Sequence, residues 1–152
     1  MEITKQALLN VSGVLGEMVK TRMRPQLAYI VAKNHVKINE QVELIRTSYV
    51  PIDGWQEVLK ARQEALSTHQ ATQHPNGGYQ VPPDQQKGLE DTMKAIDAAH
   101  KDIIEAQAKY DEEFNADLQT MVEVDLEKIK SEDLSEDVEP MKLVSLMQAG
   151  LM

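Results

Sequence analysis

The sequence predicts a mainly α fold: an antiparallel helical bundle of coiled-coil-like hairpins with one long helix and a small two-stranded β element. Three observations carry this. Leu89, Met93, Ile96, His100, Ile103, Gln107, Tyr110, Phe114, Leu118 and Met121 follow three- and four-residue steps, the seam of a helix packed lengthwise on others. Ala28, Val31, His35, Ile38, Val42, Ile45 and Tyr49 repeat that spacing in strict alternation. Hydrophobic content is 41% but aromatic content only 4%, which suits helix packing, since strands usually carry more Tyr, Phe and Trp.

The elements follow in order, read as one helical domain over 1–152. A first helix spans 4–22, with Thr4 as N-cap and Leu8, Val11, Leu15 and Met18 as its stripe. Gly13 and Gly16 each cost it about 1 kcal/mol against Ala, so close approach of a neighbour is expected there. Pro25 breaks the chain and opens a second helix, 25–49, which stops at Val50-Pro51. Asp53 then caps a third, 54–71, whose seam is Trp55, Leu59, Arg62, Leu66 and His69. The connector 72–83 is rich in turn residues, with Asn76-Gly77 and Pro82-Pro83. Pro83 starts the long helix, 84–120.

After Met121 the period becomes two: Val122, Val124 and Leu126 alternate with Glu123, Asp125 and Glu127, a strand within 121–127 expected to pair with 78–81. Ser131 to Glu139 is acidic and patternless. A last helix, 140–149, ends at Gly150 and is apolar enough that it must dock on the body or on another copy.

Net charge is −9, unevenly placed. Residues 1–75 hold nine Lys/Arg and seven Asp/Glu, giving +2; residues 76–152 hold seven and eighteen, giving −11. An acidic half repels the nucleic-acid backbone, so a nucleic-acid partner is not expected. It could engage a basic partner or imitate DNA; a solvated face kept soluble by like charge is the commoner meaning. There is no Cys, hence no disulfide, thiol nucleophile or thiolate site. No run approaches the roughly 18 to 20 apolar residues of a membrane span, and Met1 to Lys5 does not open a signal peptide. The expectation is a cytoplasmic protein with no membrane partner.

Four sets of residues qualify as candidate sites. Asp102, Glu105, Glu112 and Glu113 sit on the acidic back of the long helix, and Tyr79 in the connector beside it, as contacts for a protein partner. Tyr110, Phe114 and Leu118 continue the apolar seam beyond the shorter third helix. Something must cover them, either the first helix or a second chain, which predicts a homo-oligomer. Lys20, Arg22 and Arg24 could hold a phosphate or another anion, or pair with the chain's own acidic half. His35 and His69 would meet if their helices run antiparallel, and Glu64, Gln73 or His74 could complete a metal shell. No HxxxH or ExxH pair strengthens this, and buried polar residues that fix register are commoner, so no metal and no cofactor are expected. No GxSxG, P-loop, GxGxxG or zinc-protease motif is present, and the carboxylates lie on a face without an apolar wall to tune them; no catalytic residues are expected.

The layout resembles that of small phage- and prophage-encoded helical proteins of unknown function. The resemblance lies in Lys33-Asn34, in Gly77-Gly78-Tyr79-Gln80-Val81 before an acidic helix, and in Val122-Glu123-Val124-Asp125-Leu126. It implies a phage setting and carries over no catalytic residue. The function expected is a non-enzymatic, oligomeric interaction protein that binds and inhibits a host or phage protein, such as a host-defence factor. The alternatives are a virion or assembly component and an oligomeric sponge for a phosphate-containing small ligand.

Overall fold

The computed structural model describes residues 1–134 and 138–152; the middle of the acidic stretch after Ser131 lies outside the described residues. In chain order the elements are β1 (Glu2–Thr4), α1 (Lys5–Met18), α2 (Pro25–Ser48), α3 (Trp55–Thr68), β2 (Thr72–Gln73), β3 (Tyr79–Gln80), α4 (Gln86–Ala99), α5 (Lys101–Asp117), β4 (Met121–Glu123), a 3-10 turn (Ser131–Asp133) and α6 (Pro140–Gln148). The fold is mainly α with a small β component, as expected. The single helical domain read from the sequence consists of two compact units. One comprises Met1–Tyr49 with Phe114–Met152, the other Val50–Glu113.

In the first unit, Thr4 caps α1 as anticipated, its Oγ1 accepting the Ala7 N–H at 3.1 Å. The stripe Leu8, Val11, Leu15 and Met18 is buried. A Cβ on Gly16 would lie 3.3 Å from His35 Nε2, so this glycine does let α2 approach; Gly13 has nothing within 4 Å and gains no neighbour for its cost.

The buried face of α2 is Leu27, Val31, Asn34, Ile38, Val42 and Ile45. Leu27 and Asn34 thus replace Ala28 and His35 in the predicted seam. Asn34 is inside because its side chain serves a backbone: its Nδ2 donates to Glu127 O at 2.7 Å, and its Oδ1 accepts from Glu127 N at 2.9 Å. Lys33 pairs with the Glu127 carboxylate, and Lys37 reaches Asp125 Oδ2 at 2.5 Å. Together these side chains hold the segment after β4 against α2.

The predicted strand pairing is corrected. β4 pairs antiparallel with β1, Ile3 opposite Val122, while β3 pairs with β2, Gln73 opposite Tyr79. A hairpin between 72 and 80 closes a loop of a few residues, which costs less chain entropy than joining strands on either side of a long helix. The expected strand over 121–127 shortens to 121–123 because the residues beyond it bond to Met1 and α2 instead. Docking of the C-terminal helix is met within the chain: α6 packs on α1, Leu146 and Leu151 are fully buried, and Leu151 O accepts from Ile129 N at 2.6 Å. Gly150, at φ +69°, takes the left-handed turn after it.

In the second unit the N-cap of α3 is Gly54, not Asp53. Gly54 has φ +86°, a backbone that favours glycine, and a Cβ there would meet the terminal Ile103 Cδ1 at 2.8 Å. Val58 and Ala65 are the buried residues of α3. Arg62, on the predicted seam, lies 5.8 Å from the Trp55 ring centroid and donates to Asp97 Oδ1 at 2.7 Å. The predicted long helix is divided at His100, whose φ of −116° and ψ of 24° leave the helical region. His100 N still bonds Ile96 O, and Ile104 N bonds His100 O, both at 3.0 Å, so the ladder carries on across the break. Gln107, buried, accepts from Ile52 N at 3.0 Å and donates to Asp111 Oδ1 at 2.8 Å.

Candidate interaction surfaces

The acidic face belongs to the second unit. Asp102, Glu105, Glu112 and Glu113 are all exposed on α5. Glu105 has Lys101 at 3.8 Å, a surface i,i+4 pair that adds little; Asp102, Glu112 and Glu113 have no ion pair among the described residues. Tyr79 is 50% exposed on β3. Its hairpin is closed by His74 N bonding Gly78 O at 2.6 Å, with Gly77 at φ +88° making the turn. Every residue from Thr72 to Gln80 is exposed. The carboxylates and the tyrosine therefore face solvent.

The apolar half of the predicted partner surface is placed differently. Leu118 is 7% exposed and part of the first unit's core, and Phe114 packs edge-on against Tyr49 with ring centroids 5.0 Å apart. In the second unit the Tyr110 hydroxyl accepts from Val50 N at 2.9 Å. The chain itself covers this seam. Of the two covers expected, the first helix or a second chain, a cover from within the chain is the one observed, and Leu118, buried in it, is out of a partner's reach.

The cationic trio divides. Arg22 and Arg24 line a cavity of about 400 Å³ in the first unit; Lys20 is not among its lining residues. The third cation is Lys142 of α6, which sequence reasoning missed, because only the fold brings position 142 beside position 24. Lys142 lies 2.9 Å from Glu17 and 3.8 Å from Glu139. Its hydrogen bond to Glu17, with the charges of both glutamates, raises the Lys142 amine, and the same hydrogen bond with the Lys142 charge holds the Glu17 carboxyl below the usual range.

The histidines each have local roles. His35 Nε2 lies 3.1 Å from Asn39 Nδ2, and Asn39 Oδ1 accepts from Ser12 Oγ at 2.7 Å, a polar seam between α1 and α2. His69 has Gln85 Oε1 at 3.1 Å from Nδ1 and Thr92 Oγ1 at 3.0 Å from Nε2. Thr92 Oγ1 also donates to Gly88 O at 2.8 Å. Gly88 leaves room for the ring, since a Cβ there would come within 2.9 Å of His69 Cε1. No group of three or more metal-binding side chains is assembled among the described residues, and no described helix is long and apolar enough to cross a membrane.

Compared with known protein families, curated proteins and solved structures, the chain matches none.

Proposed function

We propose that this chain is a non-enzymatic interaction protein of the phage type, working in the host cytoplasm by binding and inhibiting a host or phage protein such as a host-defence factor. The observation that carries the reading is the exposed acidic face of α5, where Asp102, Glu112 and Glu113 have no ion pair among the described residues. A helix face pays nothing for charge in water, but unpaired carboxylates of one sign also steer a basic partner and raise its association rate. The exposed hairpin with Tyr79 supplies an aromatic contact of the kind enriched at interfaces.

The test is capture of partners from host cells by the natural chain and by the variant D102K/E105K/E112K/E113K. The variant is expected to keep its circular dichroism and lose the captured protein; unchanged capture sinks the acidic-face reading. The homo-oligomer part of the proposal now rests on α6, where Met141, Val144 and Met147 remain exposed at three-residue steps. Light scattering reads it directly, and a large closed ring would favour the assembly component instead.

A further inference from the structure

The cavity beside Arg22 and Arg24 lies in the first unit, away from the acidic residues invoked above. Its apolar wall comes from Met18, Met23, Leu27 and Leu134, of which Met18 and Leu27 are buried core residues. Its volume of about 400 Å³ falls in the range of small-molecule sites. The polar lining is cationic on balance. Arg22, Arg24 and Lys142 stand against Asp133 and Glu139. Lys142 is engaged by Glu17 at 2.9 Å and Glu139 at 3.8 Å, so the cations of the lining left for a ligand are the two guanidiniums. Neither arginine has an ion-pair partner among the described residues.

Two helix starts contribute to the same wall. Arg24 and Glu139 are the N-cap residues of α2 and α6, and Leu27 and Lys142 lie in their first turns. Both helices open with proline at N1, and neither has a side-chain cap. The positive end of each helix dipole lies by the cavity, although the Lys142 N–H is already bonded to Glu139 O. An apolar pocket whose rim is positive from both side chains and backbone favours a ligand with an apolar body and one anionic head.

We propose that this cavity is a binding site for a small organic anion of that kind, a carboxylate or phosphate monoester with an alkyl or aryl tail. The tail lies on Met18, Met23 and Leu27, and the head meets the Arg22 and Arg24 guanidiniums, which suit the planar, bidentate recognition of either oxyanion. Unlike a phosphate site shared between copies, this one is complete within one chain. A bare inorganic anion leaves the apolar wall unused, and a neutral tail leaves the guanidiniums unused.

The experiment is calorimetric titration of the full chain with decanoate and with decyl phosphate, below micelle formation, against decanol and inorganic phosphate as comparators. At least one charged amphiphile is expected to bind one per chain and at least about tenfold more tightly than decanol, with no measurable heat from inorganic phosphate. Amide shifts on binding should centre on residues 22–27 and 138–142. In R22A/R24A, where both side chains are exposed and the fold should persist by circular dichroism, affinity for the charged probe should fall at least about tenfold. Failure of both charged probes to bind, equal affinity for decanol, shifts centred elsewhere, or unchanged binding by R22A/R24A would each overturn the proposal. The head that binds more tightly identifies the ligand as carboxylate or phosphate.

Discussion

The two units are built from the same kind of helix and hold themselves together differently. In the first, α1, α2, α6, the β1–β4 pair and the segment around Ile129 share one apolar cluster, with Leu8, Val11, Leu15, Val31, Ile38, Leu146 and Leu151 fully buried. In the second, Val58, Ala65 and Gln107 are the buried residues, and no residue of α4 is. The ion pairs divide the same way. Lys5–Asp117, Lys33–Glu127, Lys37–Asp125 and Lys142–Glu17 tie distant parts of the first unit, which also holds the local pairs Arg46–Glu43, Lys130–Glu132 and Lys142–Glu139. Lys60–Glu64, Lys94–Glu90 and Lys101–Glu105 span single turns in the second, where Arg62–Asp97 is the exception. Periodicity reports that a helix has two unlike faces. How deeply the apolar face is covered depends on how many other elements reach it.

The sharpest way to break this contrast is to truncate one buried side chain in each unit. Leu146→Ala removes a fully buried residue from the shared cluster and should cost about 3–5 kcal/mol, cavity included. Val58→Ala removes two methyl groups from the thinner interior of α3 and should cost about 1.5–2 kcal/mol. Denaturant midpoints of the two variants measure both. Equal losses would show that the first unit's deeper burial brings no added stability.

A second prediction concerns the polar clamp. Asn34→Ala leaves the Glu127 N–H and C=O without their partner, and each such group costs about 1–3 kcal/mol when water does not replace it. The Glu127 side chain is 41% exposed, so water reaches part of the site and the total should be about 2–3 kcal/mol. Faster hydrogen exchange at 124–129 with α3 and α4 unchanged is the expected pattern; uniform loss across the chain would mean that Asn34 supports the core as a whole. Asn34→Asp, which keeps the acceptor but loses the donor, should restore only part of the protection.

Asn34 also marks where sequence reading runs out. The helices were legible because their apolar spacing is local, and so were the Thr4 cap, the Pro25 break and the turn at Gly150. The strand pairing was not, since Val122-Glu123-Val124 says that it alternates and not which strand it meets. Strict three-four alternation put His35 on the seam of α2, whereas the partner that draws Asn34 inside, the Glu127 backbone, lies 93 residues away. Lys20, Arg22 and Arg24 stood out as a basic trio, but Lys142 joins Arg22 and Arg24 only through the docking of α6. Asp102, Glu112 and Glu113 needed no tertiary partner, and their exposure could be read directly.

The smallest expected effect separates the two kinds of ion pair. Glu17 and Glu90 both have carboxyls held below their ordinary value of 4.5, the first mainly by the hydrogen bond from Lys142 and the second by that from Lys94. A depressed carboxyl contributes stability that is fully present above the unfolded value and is lost as pH falls through the folded one. Both contributions should therefore fade below about pH 4.5, and both are small because the groups are exposed. They differ in what fades. Glu90 and Lys94 lie one turn apart in α4, so acid loosens only that helix surface. Glu17 and Lys142 join α1 to α6, so protonating Glu17 weakens a tertiary contact. Hydrogen exchange of α6 amides should accelerate between neutral pH and pH 4, after correction for intrinsic rates, and Glu17→Gln should already show the faster rate at neutral pH and lose the pH step. Glu90→Gln should leave α6 unchanged. If Glu17→Gln keeps the step, the acid sensitivity of α6 comes from elsewhere in its contact with α1, and the contrast between tertiary and local pairs fails at its weakest point.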